Sequence, residues 1–590
     1  MHSDMNKEYY TNALERSKAE EKELKAKFEK ISFLRLFIVI SAILTAALLK
    51  TMWLLPVFIA AFIYCVNLHI KNEKSEALCR AKQKVICSYI SRYDGTWKEC
   101  EEDGKEFFDD SFHQGRDLDI SGKASLYKLI CSAYTFKGKK KLADILQRGC
   151  KSVEEIYENQ SAVKELFENR VFSENFEYRL AMTDNRKRKD TGVFLDCKNI
   201  KKSSTFINML SFILPGVTIL SAIMFFFDIY PQITAISALV SAAVSFVLCC
   251  IINSVNGGLL RELEMIKNRI YSYYEVINEI EKENFKSEKL KNIKENLKAD
   301  NVSLQIKNLV KIADRAEIRS NFFASFFLNA IFMWDIHCMR NFEKWAEKNG
   351  DKTDTWLDHV AEFEMLISLC VVQIISECTY PEITVSKTPF IEFENLRHTL
   401  ISPETVKGNS SKFTSSSVIV TGSNMSGKTT FIRSIGLALI LANAGAPVTA
   451  DSFSASFMSV MTSIKTEDSV SEGISTFYAE LVRVKHMVEV SSENRLFLML
   501  IDEIFKGTNS KDRIVCAIET IKRLSRENTI VMVTTHDFEL CSTDFGVSKT
   551  INLHFSEYYE DDKIKFDYKL KEGRCHTTNA QALLKMVGIV

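Results

Sequence analysis

TGSNMSGKTTF, residues 421–431, decides the reading of the C-terminal third of this 590-residue chain. Inside it, GSNMSGKT (422–429) has the spacing G-x-x-x-x-G-K-[ST]. A strand-like run, SSVIVT (416–421), leads into it, and a helical pattern, FIRSIGLALILANAG (431–445), leads out. Strand, glycine loop and helix are what a phosphate cradle needs. Glycines let backbone N–H groups face the phosphates, and the helix N-terminus adds its dipole. Gly422, Ser423, Asn424, Met425, Ser426, Gly427, Lys428 and Thr429 are therefore candidate nucleotide contacts. Lys428 is expected to reach the β- and γ-phosphates, and Thr429 to coordinate Mg²⁺.

Working outward, LFLMLIDEI (496–504) is an apolar strand ending in Asp502 and Glu503. That end places Asp502 beside the metal and leaves Glu503 to orient or deprotonate an attacking water. A third apolar run, TIVMVTT (529–535), ends at His536, a candidate sensor of the γ-phosphate. Between them, DSVSEGISTFYAEL (468–481) puts Ser and Gly before an amphipathic helix. Such a helix start can face an anion. With the chain's own phosphates held by the Lys428 loop, this end is free to serve a neighbouring subunit; an ordinary capped helix is the alternative. Short apolar runs alternating with helical patterns predict an α/β domain with a buried sheet.

Upstream the texture differs. The chain has seven prolines, none between Lys71 and Lys202 or between Asn256 and Tyr380. Apolar residues recur there at helical spacing among Lys and Glu, so long helices are expected. Two further regions are continuously apolar. One is 31–49 and 51–70 around Lys50; the other is 206–227 and 233–252 around the turn DIYPQ. Each arm has about 20 residues, roughly the span of a bilayer core. Lysines and arginines flank the outer sides of both (Lys25, Lys27, Lys30, Lys71, Lys74; RKRK at 186–189, Lys201, Lys202, Arg261, Lys267). The charge bias predicts two membrane hairpins with the large segments in the cytoplasm, hence a multi-pass protein of the cytoplasmic (inner) membrane. Two buried soluble hairpins are the competing reading. No cleavable signal peptide is expected at the highly charged start. Formal charge is zero, so whole-chain charge does not mark a nucleic-acid binder. Fifteen cysteines without a C-x-x-C pair read as reduced thiols rather than a disulfide or zinc framework.

The order TGSNMSGKTT, SEGISTF, LIDEIFKGTNS, TTHDFEL resembles the ATPase domain of the MutS family of DNA mismatch-repair proteins. LRHTLI (396–401) and VKGN (406–409) are similar to that family's upstream segment, the latter to its adenine-contacting part. RDLDISGKASLYKLICSAYTFKGKKKLADIL (116–146) and WLDHVAEFEMLISLC (356–370) are similar to its helical core. The resemblance implies that Asn424, Gly427, Lys428, Thr429 and Thr430 hold the phosphates and Mg²⁺ of ATP. It makes Asp502 and Glu503 the metal-side and catalytic carboxylates, with His536 near the γ-phosphate. It also implies a homodimer, in which Gly473, Ser475 and Thr476 act in trans, and makes DNA a candidate partner; accessory proteins are not specified. Departures are specific. About 110 residues precede the core-like segment where the family's mismatch-reading domain and connector would stand. Phe505 and Lys506 replace a Gly-Arg pair, and Val406 replaces an aromatic that would stack on adenine.

The expected architecture is a charged helical N-terminus (1–30), a transmembrane hairpin (31–70), a helical core segment (71–202), a second hairpin (203–255), a lever-like helical segment (256–385) and a MutS-like P-loop ATPase domain (386–590). The expected function is a membrane-anchored ATPase with composite dimer sites, coupled to DNA, with mismatch reading doubtful because its domain is absent. An ATP-driven transporter is the alternative, although four arms are few for a pathway and SEGISTF is not the LSGGQ of transport cassettes. A membrane scaffold or sensor not acting on DNA is the other. The Lys-rich stretch 267–298 could touch phosphates, but its glutamates nearly balance its lysines, as on a solvated coiled-coil face.

Overall fold

The computed structural model describes residues 2–48, 54–100, 103–183, 204–255, 258–423, 425–465, 476–505, 509–546, 549–560 and 563–575. Among the described residues, twelve strands lie in the C-terminal part: β1 (Glu382–Thr384), β2 (Phe390–Leu396), β3 (Asn409–Thr414), β4 (Ser416–Thr421), β5 (Ser452–Ser456), β6 (Ser459–Ser463), β7 (Phe497–Asp502), β8 (Thr529–Thr535), β9 (Lys549–His554), β10 (Glu557–Glu560), β11 (Lys563–Phe566) and β12 (Lys571–Glu572). The main sheet runs β12-β9-β4-β8-β7-β6, with every pair parallel except β12 on β9. β4 and β8 are buried at every position, as expected for strands covered on both faces. A smaller sheet, β1-β5-β2-β3, and the hairpin β10-β11 flank it.

The helix that follows the glycine loop, Lys428–Asn443, is buried along nearly its whole length. One side faces the sheet and the other meets the upstream helices. Gly436 marks the closest approach: a Cβ there would lie 2.8 Å from both Leu118 and Leu500 side chains. At the helix end, the Cys150 N–H donates to the Asn443 carbonyl (2.8 Å), and the Asn159 amide donates to the Ala444 carbonyl (3.1 Å). One hydrophobic core therefore runs from Tyr10 through Leu118, Phe176 and Phe363 to Leu500 and Phe555.

The RDLDIS segment stitches the helical core to the sheet. Asp117, fully buried, accepts from Thr462 Oγ1 (2.7 Å), the Ile464 and Lys465 N–H groups (3.1 and 3.0 Å) and Arg483 Nη1 (3.2 Å). Asp119 takes Lys465 Nζ (2.6 Å) and Arg433 Nη1 (3.3 Å). Arg433 stands on the helix after the glycine loop, and Arg483 on the helix Thr476–Val490. A second buried carboxylate, Glu364, accepts from the Tyr134 and Thr135 N–H groups (2.7 and 3.0 Å) and from the Thr135 hydroxyl at the start of helix Phe136–Arg148.

The chain's first two helices, His2–Leu48 and Leu55–Asp94, run through the expected boundaries at residues 30 and 70 without a break. No proline or glycine interrupts either interior, so the apolar arms continue directly into polar helix. The expected turn around Lys50 lies outside the described residues. The polar ends dock on the core through a Tyr10–Tyr89 stack (4.7 Å between centroids) and Arg170 over the Tyr9 and Tyr10 rings. Beneath them Tyr89 donates to Glu177 Oε1 (2.9 Å). Burial pushes the Glu177 carboxyl up to about 7. Its folded value exceeds its ordinary one, so its contribution to stability is present in the low carboxylate range and is lost as pH rises through about 7. Between about pH 5 and pH 8 the wild type should therefore lose roughly 3 kcal/mol relative to Glu177→Gln, read as the difference in their denaturation midpoints across that range.

The second apolar region forms helices Thr205–Phe226 and Pro231–Val255 around a turn with Asp228 and Tyr230 at positive φ. Among the described residues, these two helices are the ones long and apolar enough to cross a membrane. Their packing is inside-out. Hydroxyls line the seam, Thr218 to Ser241 (2.8 Å) and Ser221 to Ser237 (3.0 Å), while Phe212, Phe226, Ile236 and Leu239 face outward. Small hydroxyl residues thus lie inside and large apolar ones outside.

The lever-like segment contains an element that its polar neighbours hide. Helix Phe322–Phe332 is strongly apolar and breaks at Met333 (φ 49°) into helix Trp334–Asn349, bent by 82°. Met333 and Ile336 share a small core with Cys249 and Ile252 at the base of the apolar hairpin.

Candidate functional site

The site lies at the C-terminal ends of β4, β7 and β8, where parallel strands converge on the start of helix Lys428–Asn443. Gly427 caps that helix at φ 107°, a conformation open to glycine and unfavourable to other residues. Lys428 is buried to 5% exposure, and its ammonium donates to the Gly422 and Ser423 carbonyls (2.8 and 2.9 Å). It thus lies inside the loop's concavity. Thr429 Oγ1 donates to Asp502 Oδ1 (2.9 Å), and Thr534 donates to the same oxygen. Ser423 Oγ donates to Glu557 Oε2 (2.7 Å), tying the loop to the segment after β9. Met425 is 84% exposed at the rim and Ser426 is buried beneath it; Thr430 is exposed on the first helical turn.

Glu503 follows β7 at φ 49°, its N–H held by the Thr534 carbonyl (3.0 Å). That grip aims the carboxylate across the cleft rather than along the strand. Glu503 Oε1 lies 3.2 Å from His536 Nε2, which is itself 3.4 Å from Lys428 Nζ. One ring nitrogen cannot donate to the carboxylate and accept from the ammonium at once. The imidazole tautomer therefore selects which neighbour it holds. Asp537 accepts from Arg513 Nε and Nη2 (2.9 and 2.7 Å), which fixes the turn after His536.

A hydroxyl and a carboxylate oxygen 2.9 Å apart are hard ligands of the kind Mg²⁺ takes alongside phosphate oxygens. The described residues hold no cluster of three His, Cys, Asp or Glu able to cage a metal alone. Thr429 and Asp502 thus fit Mg²⁺, and Lys428 fits a polyphosphate.

Of the residues expected from sequence, Gly422, Ser423, Met425, Ser426, Gly427, Lys428, Thr429, Thr430, Asp502, Glu503 and His536 lie around one cleft. Asn424, Gly473 and Ser475 lie outside the described residues. So does the Thr476 side chain, although its backbone starts helix Thr476–Val490. Lys506 is also outside them. Phe505 is buried, its N–H donating to Glu480 (2.7 Å) and its ring against Phe477 (5.8 Å). It therefore anchors helix Thr476–Val490.

The sequence reading missed Tyr568. Its ring approaches Gly427, where a Cβ would lie 3.3 Å away, and it lines the same cleft as Val406, Ile401 and His398. Two bonds clasp its segment to VKGN: Asn409 donates to the Tyr568 carbonyl (3.1 Å) and accepts from the Leu570 N–H (2.8 Å). An aromatic thus lines the same pocket as Val406. Burial pushes His398 down to about 4, so it stays neutral, with Nδ1 accepting from the Leu400 N–H (3.3 Å). Tyr568→Ala should weaken adenine-nucleotide binding about tenfold, the scale of one base–aromatic stack, in a fluorescent-nucleotide titration. Tyr568→Phe should bind like wild type.

A parallel sheet, a glycine loop opening a helix after β4, and paired carboxylates at the end of β7, one strand removed across β8, define a P-loop nucleotide-binding domain. Within that class, residues 418–589 match the family model described as MutS domain V. The chain is 30% identical over 218 residues to "Endonuclease MutS2" of Lactococcus lactis, covering 36% of this chain and 27% of that protein. It is 29% identical over 209 residues to "Putative endonuclease MutS2" of Bacillus subtilis, 35% and 26% of the two chains. It is 29% identical over 237 residues to "MutS protein homolog 4" of Mus musculus, 38% and 24%. The chain spans about a quarter of the length of these curated relatives. These likenesses are to part of the chain, and the family-model match lies in its C-terminal domain.

Proposed function

We propose that this chain is a membrane-anchored MutS-type ATPase that binds ATP with Mg²⁺ and hydrolyses it in sites completed by a second copy. The observation that carries this reading is the convergence of Lys428, Thr429, Asp502, Glu503 and His536 on one cleft. Bound Mg²⁺ would neutralise charge on the β- and γ-phosphates. Lys428, released from the Gly422 and Ser423 carbonyls, would donate to the phosphate oxygens. Glu503 would accept a proton from water as its oxygen attacks the γ-phosphorus and the bond to the bridging oxygen breaks, leaving ADP and phosphate. His536 orients Glu503. Gly473, Ser475 and Thr476 would contact the nucleotide of the other copy.

The inside-out hairpin supports anchorage in the cytoplasmic membrane, with the ATPase domain on the cytoplasmic side. The bonds of Asp117 and Asp119, and the shared core around Gly436, would pass a change at the nucleotide into the helical core. DNA is the proposed partner on the strength of the relatives' names, and mismatch reading is not part of the proposal. The test is ATP turnover by the detergent-solubilised full chain without DNA, with homoduplex, and with mismatched or branched DNA, at two salt concentrations. Stimulation that weakens with salt supports a DNA-directed machine. Turnover indifferent to every DNA removes that part and favours a transporter or a membrane scaffold.

A further inference from the structure

Helix Phe322–Phe332 has no role in the nucleotide site, yet it carries a large exposed apolar surface. Phe322, Phe323 and Phe327 are 74%, 71% and 57% exposed, and Phe326 and Phe332 more than 40%. The opposite face buries Asn329 and Ala330, and the adjoining Met333 is buried as well. This face is seated on the apolar hairpin: the Phe326 ring lies 5.0 Å from Phe246, and Met333 packs with Cys249 and Ile252. The seat is rigid. His337, just past the bend, reaches the Ser211 carbonyl (3.2 Å), and the Arg340 guanidinium covers the Phe212 ring.

The exposed phenylalanines therefore continue the hairpin's own outward apolar surface, which at this level includes Val244, Val247 and Ile251. The helix has 11 residues, about 16 Å at 1.5 Å per residue, half of what a span requires. Polar groups bracket it. Asn321 caps its start by accepting from the Ala324 N–H (3.1 Å). Arg319 pairs with Asp335 across its two ends (3.4 Å), and Trp334 donates its indole N–H to the Arg315 carbonyl (3.0 Å). An apolar face edged by Trp and Arg is the pattern of a helix lying at the boundary of headgroups and acyl chains.

We infer that Phe322–Phe332 is a third membrane element, embedded in the cytoplasmic leaflet beside the hairpin, with lipid acyl chains as the occupant of its phenylalanine face. The inference rests on the proposed membrane reading of the hairpin. Its consequence is mechanical. The next helix, Trp334–Asn349, leaves the corner at 82° and belongs to the segment that returns to the ATPase domain, so the leaflet is in contact with the lever itself.

The test places the photoreactive phenylalanine analogue p-benzoylphenylalanine singly at Phe323, Phe327, Leu239 and Tyr157 of the full chain in phosphatidylcholine–phosphatidylglycerol vesicles. Leu239 lies outward on the hairpin at 72% exposure, and Tyr157 is 43% exposed on a helix of the core. Mass spectrometry after illumination reads lipid adducts. The expected result is lipid adducts at Phe323 and Phe327 comparable to Leu239, with none at Tyr157. Adducts at Leu239 alone overturn the inference while leaving the hairpin in the bilayer. Chain-to-chain crosslinks at Phe323 or Phe327 overturn it in favour of a second copy on this face. No lipid at Leu239 removes the membrane reading and the inference with it.

Discussion

Glu503→Gln should lower ATP turnover by a factor of about 10² to 10³ while leaving ATP affinity close to that of the wild type. The substitution keeps the size of the side chain and its acceptor oxygen toward His536 Nε2, 3.2 Å away. It removes the negative charge and the basic lone pairs that would take a proton from water. Phosphate binding belongs to the loop backbone and to Lys428, whose ammonium is held by the Gly422 and Ser423 carbonyls. Initial rates of phosphate release and a nucleotide titration on the same preparation check both halves. A variant that loses binding and turnover together would make Glu503 a structural support of the cleft.

Asp117→Ala should cost about 3–5 kcal/mol of stability, the scale for removing one partner of a buried charged network. The carboxylate is fully buried, so its loss strands the Thr462 hydroxyl and two backbone N–H groups and leaves Arg483 Nη1 with the Lys465 carbonyl (3.0 Å) in place of a charged partner. Those groups belong to β6, the residues following it and helix Thr476–Val490, which bracket the segment proposed to act in trans. A thermal melt should show the fall. Asp117→Asn keeps acceptor capacity on one oxygen and should lose less. If the alanine variant folds at low temperature, its turnover should fall further than that of Arg116→Ala, which changes the neighbouring residue on the same segment. Equal stability of Asp117→Ala and wild type would show that the core and sheet are held by apolar packing alone.

The nucleotide loop was legible because its chemistry is local. Glycines, lysine and hydroxyl fall within eight residues, and the strand before and helix after are short-range patterns. β7 with its Asp502–Glu503 end, and β8 with His536, were legible for the same reason: an apolar run announces a buried strand, and the polar residue at its end is where a parallel sheet opens. Tyr568 was not legible. It reaches Gly427 through a clasp to Asn409 formed 159 residues away in sequence, and nothing in FDYKL marks it. Asp117 and Asp119 were visible as part of RDLDIS, but their partners at 433, 462–465 and 483 appear only when the core packs on the sheet.

The hairpin Thr205–Val255 was legible from length and apolarity; its hydroxyl seam became visible only when the two helices were paired. FFASFFLNAIF passed unremarked because an eleven-residue apolar stretch, interrupted by Ser325 and Asn329 and set between polar helices, is too short to suggest a span and fits a buried helix equally well. Pairing with Phe246 and the sharp bend at Met333 distinguish the two, and both depend on tertiary structure. The first apolar region shows the opposite difference. Boundaries drawn at 30 and 70 from composition do not appear as breaks in the backbone, because charge pattern changes there while helix propensity does not.

The most direct measurement is phosphate release from ATP by the purified full chain, with and without Mg²⁺, beside its Lys428→Ala variant and without nucleic acid. The account predicts Mg²⁺-dependent turnover in the wild type and none in the variant, whose loop lacks the cation that meets the phosphates. Turnover equal in the two proteins, or a wild type that neither binds nor cleaves ATP, would contradict it.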